Sequence, residues 1–172
     1  FAKATAATEQ QMVMRIALID GPLRDIQLFG FAGLMIAGVG QRFIPRVYGL
    51  PAPARSAQNL IFLLMNGSLI LDLACYVLLL TTYRISFAFG LEAAYLLMAL
   101  WPILLARQLG IFSLLVRPDR TFKFIRAACA WMIAGCAMLP FFLIYGILTH
   151  QFFAHAFMGS HRHAYTVGFI SL

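Results

Sequence analysis

The chain carries little charge, and this scarcity is its most informative property. Of its 172 residues, 11% are charged and only six are acidic, whereas 62% are hydrophobic and the mean hydropathy is +0.86. Soluble domains are about 45–50% apolar and about 25% charged, because their surfaces face water. The composition therefore argues against a soluble domain, a disordered chain and a disulfide-dense scaffold. It predicts a protein whose main solvent is lipid.

Several chemical signatures are also missing. The three cysteines, at 75, 129 and 136, lie in apolar runs without a CxxC pair, so no cysteine-based metal or redox site is indicated. The chain has no HExxH helix, no serine nucleophile elbow and no nucleotide-binding glycine loop. The net charge of +7 does not indicate a nucleic-acid partner. Its basic residues are scattered at the ends of apolar runs, as in membrane proteins.

The apolar runs predict an all-α fold, a polytopic transmembrane helical bundle. A membrane-spanning helix needs about 20 apolar residues, which predicts four full spans plus a truncated fifth. Residues 1–25 are predicted to lie outside the membrane, with Gly21-Pro22 breaking the chain. Because an apolar run ends the sequence, we expect a piece of a longer chain and a larger bundle. The predicted spans cover residues 26–44, 59–82, 87–106, 124–148 and 164–172. A tight turn at residues 83–86 predicts that the second and third spans form an antiparallel hairpin, and Pro140 is expected to kink the fourth span.

The distribution of lysine and arginine predicts the orientation of the bundle. Eight basic residues fall on one side of the predicted spans and five on the other. The positive-inside rule places the side with eight in the cytoplasm. The histidine-rich loop before the fifth span then faces the periplasm, if the membrane is the bacterial inner membrane.

All four histidines fall within 14 residues, between the fourth and fifth predicted spans. Neutral imidazole binds haem iron and copper, and helical bundles build such sites between their helices. No local spacing completes a metal site, so we expect one histidine to act with a ligand from another helix. Interfacial histidines bonded to water or headgroups are the alternative. In order of preference, the candidate cofactor ligands are His163, His155, His161 and His150, with Met158 as a thioether candidate.

Polar side chains inside the predicted spans form a second set of candidates. Asp72 lies near the middle of the second span, where an ionised carboxylate costs on the order of 3 kcal/mol. Glu92 lies on the third span and Asn66 on the second. They form either a proton or substrate path or hydrogen bonds that fix helix packing. Three residues at the end of the first span either pair with haem propionates or reach headgroups: Gln41, Arg42 and Arg46.

Two ten-residue segments, 25–34 and 163–172, resemble each other at an offset of 138. They open the first and fifth predicted spans, and four spans separate their starts. Both helices therefore run in the same direction, which predicts a parallel internal duplication. The identities are glycine at 30 and 168, phenylalanine at 31 and 169, and leucine at 34 and 172.

Residues 29–51 and 160–172 resemble NnrS-type proteins, a bacterial family of polytopic membrane proteins similar to subunit I of haem–copper oxidases. The second segment reads Ser-His-Arg-His-Ala-Tyr-Thr-Val-Gly-Phe-Ile-Ser-Leu. The resemblance implies histidine-bound haem or copper and a link to nitric oxide or respiratory redox chemistry. It also implies that His163 is a ligand. In the first segment Phe29 stands where the family often has a histidine.

Two other functions fit the sequence. The chain is alternatively an accessory structural subunit that packs around a respiratory or photosynthetic membrane complex, since its spans are rich in glycine and phenylalanine. The second alternative is a transporter that uses Asp72 and Glu92. The expected partners are the lipid bilayer and other subunits of a membrane complex.

Overall fold

The computed structural model describes residues 9–113, 120–149 and 155–171, and every element in these ranges is helical. The prediction of an all-α fold is confirmed for this part of the chain. Two elements, π1 and π2, are π-helices, which hold more residues per turn than an α-helix. The elements are α1 Glu9–Asp25, π1 Ile26–Gly33, α2 Leu34–Tyr48, α3 Arg55–Thr82, α4 Ser86–Gln108, α5 Phe122–Met138, α6 Phe141–Thr149, α7 His155–His163 and π2 Ala164–Ile170.

Several helices are long and apolar enough to cross a membrane, which is compatible with a multi-pass membrane protein. Three qualify singly: Ile19–Tyr48, Arg55–Thr82 and Ser86–Gln108. A fourth candidate is the pair α5 and α6, if the 51° bend between them belongs to one broken span. The described residues thus hold three or four candidate spans. The finer prediction of four full spans and a fifth stays a prediction.

Several prolines lie inside helices rather than at their ends. The predicted break at Gly21-Pro22 is wrong, because α1 runs through both residues. A proline removes one backbone donor and kinks a helix, but here the neighbouring glycine is held against α3. A Cβ built on Gly21 would lie 2.9 Å from Tyr76 Oη. The kink predicted at Pro140 is confirmed, since the bend between α5 and α6 falls there.

The helices α3 and α4 form the predicted antiparallel hairpin. Tyr83 ends α3 in the left-handed conformation, with φ of 55°, and two further residues lead into α4. The two helices approach closely near this turn, because a Cβ built on Gly90 would lie 2.5 Å from Cys75 Sγ. Small residues at helix contacts allow the close packing on which association in lipid depends.

At the end of the helices opposite the Tyr83 turn, side-chain hydrogen bonds link the segments that connect the helices. Arg126 Nε donates to the Ile111 carbonyl oxygen at 2.8 Å, and the same guanidinium donates to the Ser113 carbonyl oxygen. The hydroxyls of Tyr48 and Thr121 are 2.9 Å apart. Arg126 therefore satisfies backbone carbonyls that follow α4, in addition to its role in the predicted charge bias.

The two π-helices support the internal duplication. π1 begins at Ile26 and π2 at Ala164, which differ by the same offset of 138. Since π-helix makes up well under 1% of residues in soluble proteins, its occurrence at equivalent positions is unexpected by chance. The segments also contact each other: the Phe29 and Tyr165 rings are 4.8 Å apart, and a Cβ built on Gly33 would lie 2.5 Å from Tyr165 Oη. Phe29 also stacks on His161, one turn before Tyr165, so the contacts advance in the same direction along both helices.

The glycine at position 168 provides a test of this packing. A Cβ built on Gly168 would lie 2.5 Å from Trp131 Cγ and 2.7 Å from Trp131 Cβ. Because these atoms lie at the root of the side chain, rotation of the ring does not relieve the clash. We expect Gly168→Ala to lower the free energy of unfolding by about 1–3 kcal/mol, measured by denaturation in detergent.

The matched control is Gly38→Ala. A Cβ at Gly38 meets nothing within 4 Å, so this variant is expected to be as stable as the wild type or slightly more stable, given the poor helix propensity of glycine. Equal stability of the two variants would contradict the described contact between π2 and α5.

Candidate functional site

The candidate site lies where the helix formed by α7 and π2 packs against α5 and against the first helix, which is the continuous run of α1, π1 and α2 from Glu9 to Tyr48. The histidine-rich segment is not a loop from residue 155 onward, because α7 begins at His155. His161 and Tyr165 are four residues apart and therefore face the same side of the helix. Both are buried, at 3% and 0% exposure. The buried face places an imidazole and a phenol at a junction of three helices.

His161 is held in one orientation by the backbone of α5. Its Nδ1 lies 2.7 Å from the Gly135 carbonyl oxygen. A carbonyl only accepts, so Nδ1 carries the proton and the neutral ring keeps Nε2 as a lone-pair donor. The Phe29 ring stacks beside the imidazole, with centroids 6.0 Å apart and planes 21° from parallel. This environment disfavours rotation of the ring.

Burial lowers the pKa of His161, and the positive charge of Arg162 lowers it further, although the hydrogen bond to the Gly135 carbonyl opposes the shift. The folded protein therefore favours the neutral imidazole. A neutral histidine with one free nitrogen is the form that binds a metal.

Tyr165 fills the space next to His161. Its ring contacts Phe29 on one side and Phe169 on the other, at 5.2 Å between the Tyr165 and Phe169 centroids. A Cβ built on Gly135 would lie 3.3 Å from the Tyr165 backbone nitrogen. Among the described residues, the buried Tyr165 hydroxyl has no hydrogen-bond partner. Packing therefore holds the ring, and the described residues offer its hydroxyl no hydrogen bond.

The other candidate ligands are placed differently. His163 is exposed, and Met158 is half-buried. His155 begins α7, and His150 lies outside the described residues. Within the described ranges, no group of three or more His, Cys, Asp or Glu side chains is arranged to hold a metal ion. Of the two histidines whose side chains the structure describes, the buried one is His161, the third in the order of preference from the sequence.

The polar residues of the predicted spans differ in their burial and in their hydrogen bonds. Asn66 Nδ2 donates to the Phe62 carbonyl oxygen at 2.8 Å within its own helix. Asp72 is 2% exposed, whereas Glu92 is half-buried. At the end of α2, Gln41 is half-buried and Arg42 and Arg46 are exposed.

Sequence reasoning missed three partners of His161: Phe29, Gly135 and Tyr165. Phe29 stands at the position where the resemblance leads one to expect a histidine, and its ring stacks on His161 instead. The i, i+4 spacing of His161 and Tyr165 was a visible signal. No signal in the sequence identifies the Gly135 carbonyl, because every residue has a backbone carbonyl group.

Comparison with protein-family models, with characterised proteins and with solved structures finds no match. The functional interpretation therefore depends on the geometry of the described residues and on the resemblance of the two short segments.

The environment of His161 predicts a pH dependence of stability. Because its pKa is lowered by folding, the unfolded chain binds more protons than the folded protein in acid. Stability is therefore full above the unfolded value of about 6.5 and falls as the pH drops below it. We expect His161→Gln to remove this component, measured by thermal unfolding in detergent between neutral and acidic pH.

The control is His163→Gln, since the side chain of His163 is exposed. This variant is expected to keep the pH profile of the wild type. A wild-type profile in His161→Gln would mean that His161 does not titrate differently in the folded and unfolded states.

Proposed function

We propose that the chain is part of an integral membrane protein that binds haem or copper and takes part in nitric oxide or respiratory redox chemistry, as its resemblance to NnrS-type proteins implies. The observation that carries this proposal is the buried His161 imidazole, whose Nδ1 lies 2.7 Å from the Gly135 carbonyl oxygen. The membrane is proposed to be the bacterial inner membrane, with α7 near its periplasmic side.

The chemistry of His161 fits a residue that would hold haem or copper. Metal-binding histidines almost always donate their second ring N–H to a carbonyl or carboxylate, which fixes the tautomer and makes the other nitrogen more basic. His161 makes this bond to Gly135. Phe29 holds the plane of the ring, and the exposed His163, two residues later, is a further ligand candidate. His155 and His150 are kept as candidates for the second ligand.

Bound haem or copper would supply one-electron chemistry. The residues of this chain supply binding and orientation: His161 donates a lone pair, Gly135 orients it, and Phe29 and Tyr165 exclude water from its ring. Exclusion of water raises the sensitivity of a redox centre to nearby charge.

Haem titration tests the proposal. We expect the purified protein to bind haem with a Soret band, and His161→Gln to lose at least tenfold in affinity, since loss of a ligand removes a bond rather than a second-sphere contact. His163→Gln is the matched variant, and its affinity for haem shows whether the exposed His163 is also a haem ligand. Copper content is measured on the same samples.

Two results would overturn the proposal. One is a purified protein that contains neither haem nor copper and binds neither on addition. The other is an unchanged spectrum and affinity in both His161→Gln and His163→Gln, with helicity intact by circular dichroism.

A structural role in a larger complex is the second candidate, favoured by one observation. The first helix exposes an apolar stripe at intervals of four residues, formed by Phe31, Met35, Val39, Phe43 and Val47. Such a stripe suits lipid or a neighbouring subunit. An accessory subunit is expected to co-purify with a large membrane complex in fixed stoichiometry. For the transporter alternative, Asp72→Asn is expected to abolish uptake with the fold intact.

A further inference from the structure

Asp25 and Asp72 lie at the same level of two antiparallel helices. The contact between α1 and α3 is fixed by Gly21, because a Cβ there would lie 2.9 Å from Tyr76 Oη. Asp25 follows Gly21 by four residues, and Asp72 precedes Tyr76 by four. Residues four apart share a helix face, so both carboxyl groups lie one turn along the contact from Gly21 and Tyr76.

A second contact fixes the register from the other side. A Cβ built on Gly30 would lie 3.0 Å from Leu69 Cδ2. Asp72 follows Leu69 by three residues, which again places it on the face that meets the first helix. The two glycine contacts therefore bracket Asp25 and Asp72 between them.

Asp72 is buried, and no cation among the described residues forms an ion pair with it. It is 2% exposed, and Asp25 is half-buried. In the part of the chain that the structure describes, the only ion pair joins Arg24 to Asp20. Burial makes ionisation of a carboxyl group costly, and two carboxylates at close range do not both ionise readily.

The surrounding charges make the two carboxyl groups unequal. Burial disfavours ionisation of both carboxyl groups. At Asp25 the cations Arg162 and Arg24 offset part of this effect, whereas at Asp72 the charge of Asp25 adds to it. Among the described residues, the charged and titratable groups that interact electrostatically with the pair are Asp20 and Arg24 of α1, Tyr76 of α3, Tyr95 of α4 and Arg162 of α7, and Glu92 of α4 acts on Tyr95.

We propose that Asp25 and Asp72 form a proton-binding pair, in which the buried Asp72 carboxyl holds one proton and donates it in a hydrogen bond to the Asp25 carboxylate. The ligand is a proton rather than a metal cation, because no third acidic, histidine or cysteine side chain joins the pair within the described residues. Uptake of the proton neutralises one charge and forms one O–H bond. Asp25 replaces Glu92 as the partner of Asp72, and the site is independent of haem binding.

Infrared spectroscopy of the purified protein tests this site at pH 7. A protonated carboxyl has a C=O stretching band that is separate from those of carboxylates and amides. We expect one such band in the wild type and its loss in Asp72→Asn. In Asp25→Asn the band is expected to persist at a higher frequency, because a neutral amide accepts a weaker hydrogen bond than a carboxylate.

The matched control is Asp20→Asn. Asp20 lies on the same helix but is 47% exposed and paired with Arg24, so the band is expected to be unchanged. Circular dichroism reports whether each variant folds. If Asp72→Asn does not fold, the frequency shift in Asp25→Asn decides the question alone.

Four results would overturn the proposal. They are the absence of the band in the wild type at pH 7, its persistence in Asp72→Asn, an unmoved band in Asp25→Asn, and its loss when sodium chloride is added at constant pH. The last result would identify a cation site in place of a proton site.

Discussion

The close packing of Tyr165 against two glycines is the contact on which the described bundle depends. The phenol is fully buried, with its hydroxyl against Gly33 and its backbone against Gly135. Lipid tails are as apolar as leucine, so helices in a membrane associate through close packing rather than through the hydrophobic effect. Here the ring brings three helices together. One turn earlier on the same helix, His161 forms a hydrogen bond with the Gly135 carbonyl. The packing of Tyr165 therefore also positions His161, the candidate ligand.

The first helix contacts two neighbours. Gly21 and Gly30 face α3, whereas Phe29 and Gly33 face π2. The carboxylate pair and the imidazole therefore occupy different interfaces of a single helix, and π-helical turns often mark functional positions.

The sequence predicted the apolar helices, the hairpin and the bend at Pro140, because these depend on local composition. It failed where tertiary contacts override local preference. Gly21-Pro22 predicts a break in the chain, yet the helix continues through both residues, where Gly21 packs against Tyr76. His161 ranked below His163 because burial of one face of α7 depends on which helix packs there. The pairing of Asp72 with Asp25 depends on the register of two distant helices, which no short motif encodes.

The matching π-helices also bear on the history of the chain. A π-helix holds more residues per turn than an α-helix, and its turns often lie at functional sites. The two π-segments start at equivalent positions, Ile26 and Ala164. If both descend from one ancestral helix, the wider turn came before the copying, and the two copies later diverged in their polar residues. Position 25 is now an aspartate and its equivalent, 163, is a histidine. In that case, one ancestral position gave rise to an acid in one copy and a base in the other.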